Sequence, residues 1–405
     1  MAAAHLINCP CAETEDALQS LLVCAVDDQA IKIAKRKAVE VLARLGSKSS
    51  VPLIGQCLWS DDIYLVENSV WALEKLSCNR HDLIQQMIGL LKDASQNQRV
   101  LIKALATLAI DQSFDSIRSL QTSDRPGVRG AAIAAVAKCT QDRASLLQIK
   151  GYLTLPNQMD RQCAVQDLVD GGAIELLPSI ATAPVSPAFR IRACREILAT
   201  AKVLLSADVG LDLIDVVFRD DPAQINVIHQ YDEAPAPEFL VRQLYSTDFS
   251  RCYLAMQNLP EYSAEVLIPI LQQSWEEEAH NDYGAHYFFM HVFGSRDDWS
   301  SSALEWIVDL LNEAAINRRP QFQKSRAAAI QALHSLRPDL FFELGSKLLR
   351  GSIPASWECR YVTIMCMESL SIGGGDQIRD LLVNCQQDAD AFVQARAASA
   401  LSSIG

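Results

Sequence analysis

In the stretch SDDIYLVENSVWALEKL, residues 60–76, a carboxylate and two aromatic rings sit where a helix would turn them away from its own core. Val66, Ser69, Val70, Leu73 and Leu76 recur at helical spacing and form the stripe that a helix buries. At about 100° per residue, Tyr64, Glu67 and Trp71 fall nearly opposite that stripe, with Asn68 at the edge. A helix that presents a Tyr, an acid and a Trp on its outer face offers them to a ligand or to a neighbouring element. Trp is amphipathic and often lies half-buried at seams, so packing of Trp71 against an adjacent unit is the competing reading.

A second group lies in WEEEAHNDYGAHYFFMHVFG, residues 275–294. Four of the seven histidines of the chain fall between His229 and His291. On a helical projection Tyr283, His286, Tyr287 and Met290 share one arc, His280 and His291 lie at its border, and Asp282 flanks it. A metal site on a helix wants imidazoles at i and i+4 with a carboxylate. The spacings here are 6 and 5, and no His-Glu dipeptide occurs, so no metal is expected. A wall of rings and imidazoles for a flat conjugated ligand fits better. The alternative is a set of core aromatics with a few surface histidines.

The third group is the arginines Arg99, Arg129, Arg161, Arg190, Arg192, Arg326 and Arg360. Most are expected to pair with an Asp in the preceding turn and to tie neighbouring units together. One or two that face a groove can instead grip a carboxylate in bidentate fashion. Arg99 is favoured, because it lies one residue past its register position, as Glu67 does in the preceding unit. The chain carries no Gly-rich phosphate loop, nucleophile elbow or zinc motif, and GGGD at 373–376 reads as a turn between helices.

These groups need helices to position them, and the chain supplies helices throughout. A helix with small residues at fixed offsets begins near Lys35, Val66, Gln98, Arg129, Arg161 and Arg190, at intervals of 31, 32, 31, 32 and 29 residues. The register returns at Arg326, Arg360 and Gln394, spaced 34 and 34 apart. A shorter apolar segment and a turn precede each one, and an Asp, Ser or Asn before the second helix supplies an N-cap. Strand signals are weak. The pattern predicts an all-α chain, a curved α-solenoid of about 11–12 HEAT-like helix pairs read from the repeat. Alanines in the second helices let neighbours approach closely. Second helices line the concave surface of such a stack, so Tyr64, Glu67 and Trp71 are expected in its groove. Two halves are expected, 1–204 and 205–405, with an irregular middle over 205–320 that includes Asp232 in QYDEAPAPEF.

Bulk properties narrow the function classes. An apolar content of 49% with 21% charged residues excludes general disorder. A net charge of −13 argues against nucleic acid and against an anionic membrane surface. No 18-residue apolar run is present, and the N-terminus lacks a basic region followed by an apolar one. Twelve scattered cysteines without framework spacing read as free thiols. A cytoplasmic, reduced protein is expected.

The segment DDIYLVENSVWALEKL resembles the E/F-type phycobilin lyases of cyanobacteria, whose helical repeats carry a similar Tyr-x-Val-Glu-Asn-(small)-Val-Trp-Ala segment. The start AHLINCPCAETEDALQSLLVCAVDD, the following AKRKAVEVLARLG and the later RVLIKALATLA are also similar to that family. Length and single-chain form look like the members that serve phycoerythrin α subunits as lyases or lyase-isomerases. The likeness is strongest over about residues 4–200 and thereafter lies mostly in the repeat itself.

The resemblance implies thioether attachment of an open-chain tetrapyrrole, phycoerythrobilin, to a cysteine of a phycoerythrin α subunit. Isomerisation to phycourobilin is a step that some relatives add. The bilin is the substrate, and no cofactor is implied. Protonation of the bilin would be supported by a carboxylate near its pyrrole nitrogens, with Glu67 first and Asp232 or Asp282 next. Tyr64, Trp71, Tyr283 and Tyr287 would hold the rings, and Arg99 and Arg161 the propionates. Double-bond migration needs a proton donor and acceptor near ring A, for which His280, His286 and Tyr283 are candidates. Family-wide carry-over covers only Tyr64, Glu67, Asn68 and Trp71. A non-catalytic repeat scaffold or a chaperone that binds phycobiliprotein subunits is the rival reading.

Overall fold

The structure is a computed structural model that describes residues 2–26, 28–201, 208–370 and 375–404. Those residues form helices and connections, with no strand among them. The chain falls into two compact units, Met1–Ile149 and Lys150–Gly405. The division expected at 204/205 lies outside the described residues, as do Gly373 and Gly374 of the expected turn. Among the described residues no helix is long and apolar enough to cross a membrane.

In the first unit four helices form one layer, each packed on the next: α1 (Gln29–Arg44), α2 (Ile63–Lys75), α3 (Gln98–Leu108) and α4 (Pro126–Thr140). A second layer of helices, Ala12–Leu22, Val51–Gln56, His81–Leu90 and Ile110–Ser119, backs them pairwise. The repeat read from the sequence is therefore the helix pair. Each of the four helices buries a small residue completely: Ala38, Ala72, Ala104 and Ala132 are 0% exposed. The stripe Val66, Ser69, Val70, Leu73 and Leu76 is buried as well.

The caps are where the sequence places them. Asp28, Asp62, Asn97, Asn157, Asp248 and Asp282 each accept a hydrogen bond from an amide in the first turn of the helix that follows. Each satisfies an amide that the helix itself leaves unpaired.

The second unit contains α5 (Gln158–Gly171), α6 (Pro187–Ala201), α7 (Asp208–Arg219), α8 (Phe249–Asn258), α9 (Tyr283–Gly294), α10 (Gln323–Leu336), α11 (Trp357–Leu370) and α12 (Ala391–Ile404). Helices α9 to α12 repeat the layered packing, each on the next. The contact of α9 with α10 is close enough that a Cβ at Gly294 would stand 2.6 Å from that of Ala332. The stretch that loses the repeat register holds a seven-residue helix, Pro237–Gln243, and a π-turn over Trp275–Ala279. Helix α7 departs from the layering. It packs on α6 and also on α10, α11 and α12, more than a hundred residues further along the chain.

Two buried carboxylates anchor α7. Asp215 accepts hydrogen bonds from the Tyr361 hydroxyl at 2.8 Å and from Arg396 Nε at 3.2 Å. Asp220, just beyond the last turn at a positive φ of 46°, receives Arg190, Tyr253 and Tyr287. Charges this deep are stable only when paired and hydrogen-bonded.

All twelve cysteines are free thiols, seven of them buried.

Candidate functional site

The arginines tie neighbouring repeats together as expected, and three of them do so by reaching forward rather than back. Arg99 Nη1 donates to the Gly127 carbonyl at 2.7 Å, Arg326 Nη2 to that of Pro354 at 2.8 Å, and Arg360 grips Asp388 with two bonds. In these three cases the partner lies 28 residues downstream, in the following unit rather than the preceding turn. The loop carbonyls that lead into the next helix have no helical partner, and a planar guanidinium reaches them. Arg161 is 0% exposed. Its five N–H groups go to the carbonyls of Pro184, Leu155 and Pro156, to Gln158 and to Asp248. No donor remains on Arg161 for a ligand carboxylate, so its expected place as a propionate grip is corrected.

On α2 the outer face is as the spacing predicts. Tyr64 is 56% exposed, and Glu67, Asn68 and Trp71 are half-buried. Arg36 from α1 stacks its guanidinium 4.7 Å from the centre of the Tyr64 ring. The same Arg36 holds Asp62, the cap of α2, with two bonds of 2.8 Å. Burial alone would raise the Asp62 pKa, but the bonds from Arg36 and from the amides of Leu65 and Tyr64 hold it below the usual carboxylate range. Asn68 donates to the Arg36 carbonyl at 3.1 Å and so fastens α2 to α1. Trp71 packs against the core of its unit with part of its surface open, which is the seam position described for an amphipathic ring. Glu67 forms no hydrogen bond or ion pair among the described residues.

The arc expected on α9 is divided by the packing. Met290, His286 and Tyr287 are buried, whereas Tyr283 is 62% exposed. His286 faces Trp275 and Phe322, with ring centres 5.1 Å and 4.6 Å away. Burial pushes its pKa down to about 4, so the ring is neutral at pH 7, and its Nδ1 has no partner. His280 is exposed, with Nδ1 2.9 Å from the Trp275 carbonyl, and shares with His286 a hollow of about 490 Å³. Asp282 caps α9 through the amides of Gly284 and Ala285. Asp232 is exposed in the connection before Pro237. Tyr287 points the other way and donates its hydroxyl to Asp220 at 2.6 Å. The single wall therefore does not form, because α9 is covered on both sides and its residues part between two environments.

Tyr287 belongs to a cavity of about 430 Å³, open to solvent at one side, that α6, α7, α9, α10 and α11 line. Its floor is one stripe of α10: Lys324, Ala327, Ala328 and Gln331, at i, i+3, i+4 and i+7. Across from it lie Ile191 and Arg195 of α6, and Phe218 and Trp357 supply aromatic walls. Arg195 is held by Asp390 at 2.5 Å, with its guanidinium 4.1 Å from the Trp357 ring centre. A neighbouring hollow of about 740 Å³ shares Ala328 and Gln331. The bond from Gln331 to the Phe218 carbonyl, 2.8 Å, fixes α7 to α10 where the two hollows meet. None of these three hollows is lined by Tyr64, Glu67, Asn68 or Trp71.

Lys324 is the residue that the sequence reading missed. Its ammonium lies 5.2 Å, 5.6 Å and 5.6 Å from the ring centres of Tyr287, Tyr283 and Phe249. Burial pushes its pKa down to about 8, partly offset by Cys252, Asp282 and Asp220. The signal was present as K-x-x-A-A-x-x-Q in QKSRAAAIQAL, a small-residue floor with a cation at its head, but it has no aromatic to draw the eye. The described residues contain no cluster of His, Cys, Asp and Glu suited to a metal ion.

No family model matches the chain. It is 48% identical over 409 residues to the bilin biosynthesis protein CpeY of Synechococcus sp. strain WH8020, across 99% of this chain and 96% of that one. It is 32% identical over 381 residues to the uncharacterized phycocyanin operon protein Y of Pseudanabaena tenuis strain PCC 7409, across 93% and 88%. Among solved structures, the complex of CpcE and CpcF of phycocyanin lyase from Nostoc sp. PCC7120 is 21% identical, with a TM-score of 0.46, and covers 53% of this chain and 86% of that one. The first two relatives span nearly the whole chain at levels that chance does not produce, and the chain belongs to the E/F-type phycobilin lyase family.

Proposed function

We propose that the protein is a phycobilin lyase that attaches phycoerythrobilin by a thioether to a cysteine of a phycoerythrin α subunit. The observation that carries this reading is 48% identity, over nearly the full length, to a protein named for bilin biosynthesis. The step is an addition. The acceptor sulfur bonds to the ethylidene carbon on ring A, the exocyclic double bond is consumed, and a proton goes to the adjacent ring carbon. Nothing leaves, and no oxidant or reductant is required. The acceptor subunit supplies the nucleophile, so the buried thiols of this chain have no part in it.

On this reading the chain binds the bilin, excludes water and favours its protonated form. Glu67 is the proposed counter-charge for the bilin cation, because its carboxylate is half-buried and has no other partner among the described residues. Tyr64 and Trp71 flank it one helical turn to either side. Aromatic faces of this kind hold a conjugated plane without fixing its chemistry.

The test is coexpression with a bilin source and either the α or the β subunit of phycoerythrin, followed by absorbance of the denatured product. Bilin that stays on the α subunit after denaturation supports the reading. A phycourobilin spectrum on that product adds an isomerisation step. A subunit that binds this chain but never acquires bilin would overturn the reading in favour of a scaffold.

A further inference from the structure

We propose that the cavity between α6 and α10 of the second unit is a binding site for a flat, apolar organic anion, with the Lys324 ammonium as the group that receives its carboxylate. The identification of that anion as the bilin, through a propionate, rests on the function proposed above. The site itself rests on the cavity.

Three observations converge. First, Lys324 lines the cavity and gives none of its three N–H donors to any group among the described residues. Lys324 is half-buried, and an ammonium drawn from water in this way is normally paired. Second, no carboxylate among the described residues lies within ion-pair distance of it. Asp282 caps α9 through two amides on Oδ1, Asp220 is taken by Arg190, Tyr253 and Tyr287, and Glu196 and Glu358 line the cavity without reaching Lys324. The rings of Phe249, Tyr283 and Tyr287 attract the cation without accepting its protons in the manner of a carboxylate. Third, the volume of about 430 Å³ falls within the span of small-molecule sites, about 300–1,000 Å³. Most of its wall is apolar, with Ile191, Phe218, Ala327, Ala328 and Trp357, beside the charged Arg192, Arg195, Glu196 and Glu358. An acid on a planar ring system satisfies the ammonium and the walls together.

The pH dependence follows from the groups around Lys324. These are Asp220 beyond α7, Cys252 on α8, Asp282 at the cap of α9, and Tyr283, His286 and Tyr287 on it, with Arg192, Arg195 and Glu196 on α6 and Glu358 on α11 also lining the cavity. Burial raises the Cys252 thiol to about 12 and the Tyr287 phenol well above its usual value, so neither changes charge near neutrality. Lys324, held near 8, does.

The probe is the fluorescent anion 8-anilinonaphthalene-1-sulfonate, with uncharged N-phenyl-1-naphthylamine as its control, titrated against the full chain. Lys324→Met is expected to weaken the sulfonate about tenfold, as loss of one charge-assisted hydrogen bond does, and to leave the uncharged probe nearly unchanged. Lys324→Arg should restore sulfonate binding, and Ile191→Trp should abolish both by filling the cavity. Wild-type affinity for the sulfonate should fall as pH rises through about 8, whereas that of Lys324→Arg should not. Equal sulfonate binding by wild type and a Lys324→Met variant with an unchanged melting temperature overturns the site. So does equal binding by wild type and Ile191→Trp, which applies even where Lys324→Met fails to fold. Phycoerythrobilin and its dimethyl ester separate this site from the function proposed above. Preference for the free acid that disappears in Lys324→Met supports the propionate assignment. Preference that persists there overturns that assignment alone. Sulfonate binding that depends on Lys324, in a protein that never forms a bilin adduct, supports the site and removes the lyase reading.

Discussion

Helices α2 and α10 present their outer faces at the same spacing and meet opposite fates. On α2 the positions are Tyr64, Glu67, Asn68 and Trp71, and on α10 they are Lys324, Ala327, Ala328 and Gln331. The α2 set is large, and it stays at the surface of its unit with Arg36 laid over Tyr64. The α10 set has two alanines at its centre, and α7 packs on it. Size decides the difference. Small side chains let a covering helix approach, and the cover turns a face into a cavity. Large side chains keep their own contacts and remain open to whatever arrives from solution. Each second helix therefore carries a potential binding face, and the bulk of that face settles whether the protein or a partner covers it.

Substitutions that remove the cover or the face test this contrast. The largest effect is expected from Asp220→Ala, which leaves the fully buried Arg190 without its counter-ion and strips Tyr253 and Tyr287 of their acceptor. Breaking such a pair costs about 3–5 kcal/mol. Thermal unfolding should show a large drop in melting temperature, together with loss of probe binding in the second unit. A drop no larger than that of a surface substitution would mean that α7 is not held by this carboxylate.

Next comes Glu67→Gln. If Glu67 stabilises the bilin cation, the initial rate of adduct formation should fall about 100-fold, the lower end for loss of an acid–base group. The melting temperature should hardly move, because Glu67 has no partner to lose. An unchanged rate would leave α2 as a packing face only.

Asp62→Ala on α2 is smaller, about 0.5–2 kcal/mol, since it removes a cap and the Arg36 pair but buries no orphan charge. It also frees Arg36, so fluorescence or mobility of Tyr64 should change. Comparison of its denaturant midpoint with that of Asp220→Ala measures the contrast between the two faces directly.

The smallest effect is the pH slope of stability. The folded pKa of Lys324, about 8, lies below its ordinary value, so the unfolded state binds more protons above that pH. Stability should therefore gain a rising contribution as pH goes from about 8 to 9.5, and Lys324→Met should lack it. Denaturant midpoints of the two proteins at several pH values check the sign. A steeper rise in the variant would contradict the burial of this ammonium.

The helix pairs, their caps and the buried stripe of α2 were legible in the sequence because each depends on residues within one or two turns. Periodicity reports the local face, and an Asp before a helix reports its own cap. The roles of the arginines were half legible. Their position at helix starts was plain, but most of their partners are carbonyls, before the helix or in the following repeat, and carbonyls have no sequence signature. The α9 arc was misread for a related reason. His286 and Tyr287 do project from one helix, but Trp275 and Phe322 close on the first, and Asp220 claims the second.

What the sequence determined by itself was the all-α repeat and the α2 segment that resembles the lyase family. Tertiary structure alone decided that α7 lies across α10, α11 and α12, that Arg161 spends all five donors on its own unit, and that Lys324 lines a cavity with no carboxylate in ion-pair reach. The physical reason is range. Helix formation is settled by neighbours a few residues away, whereas the pairing of a charge depends on which distant groups the packed chain brings near it, and on which of those are already taken.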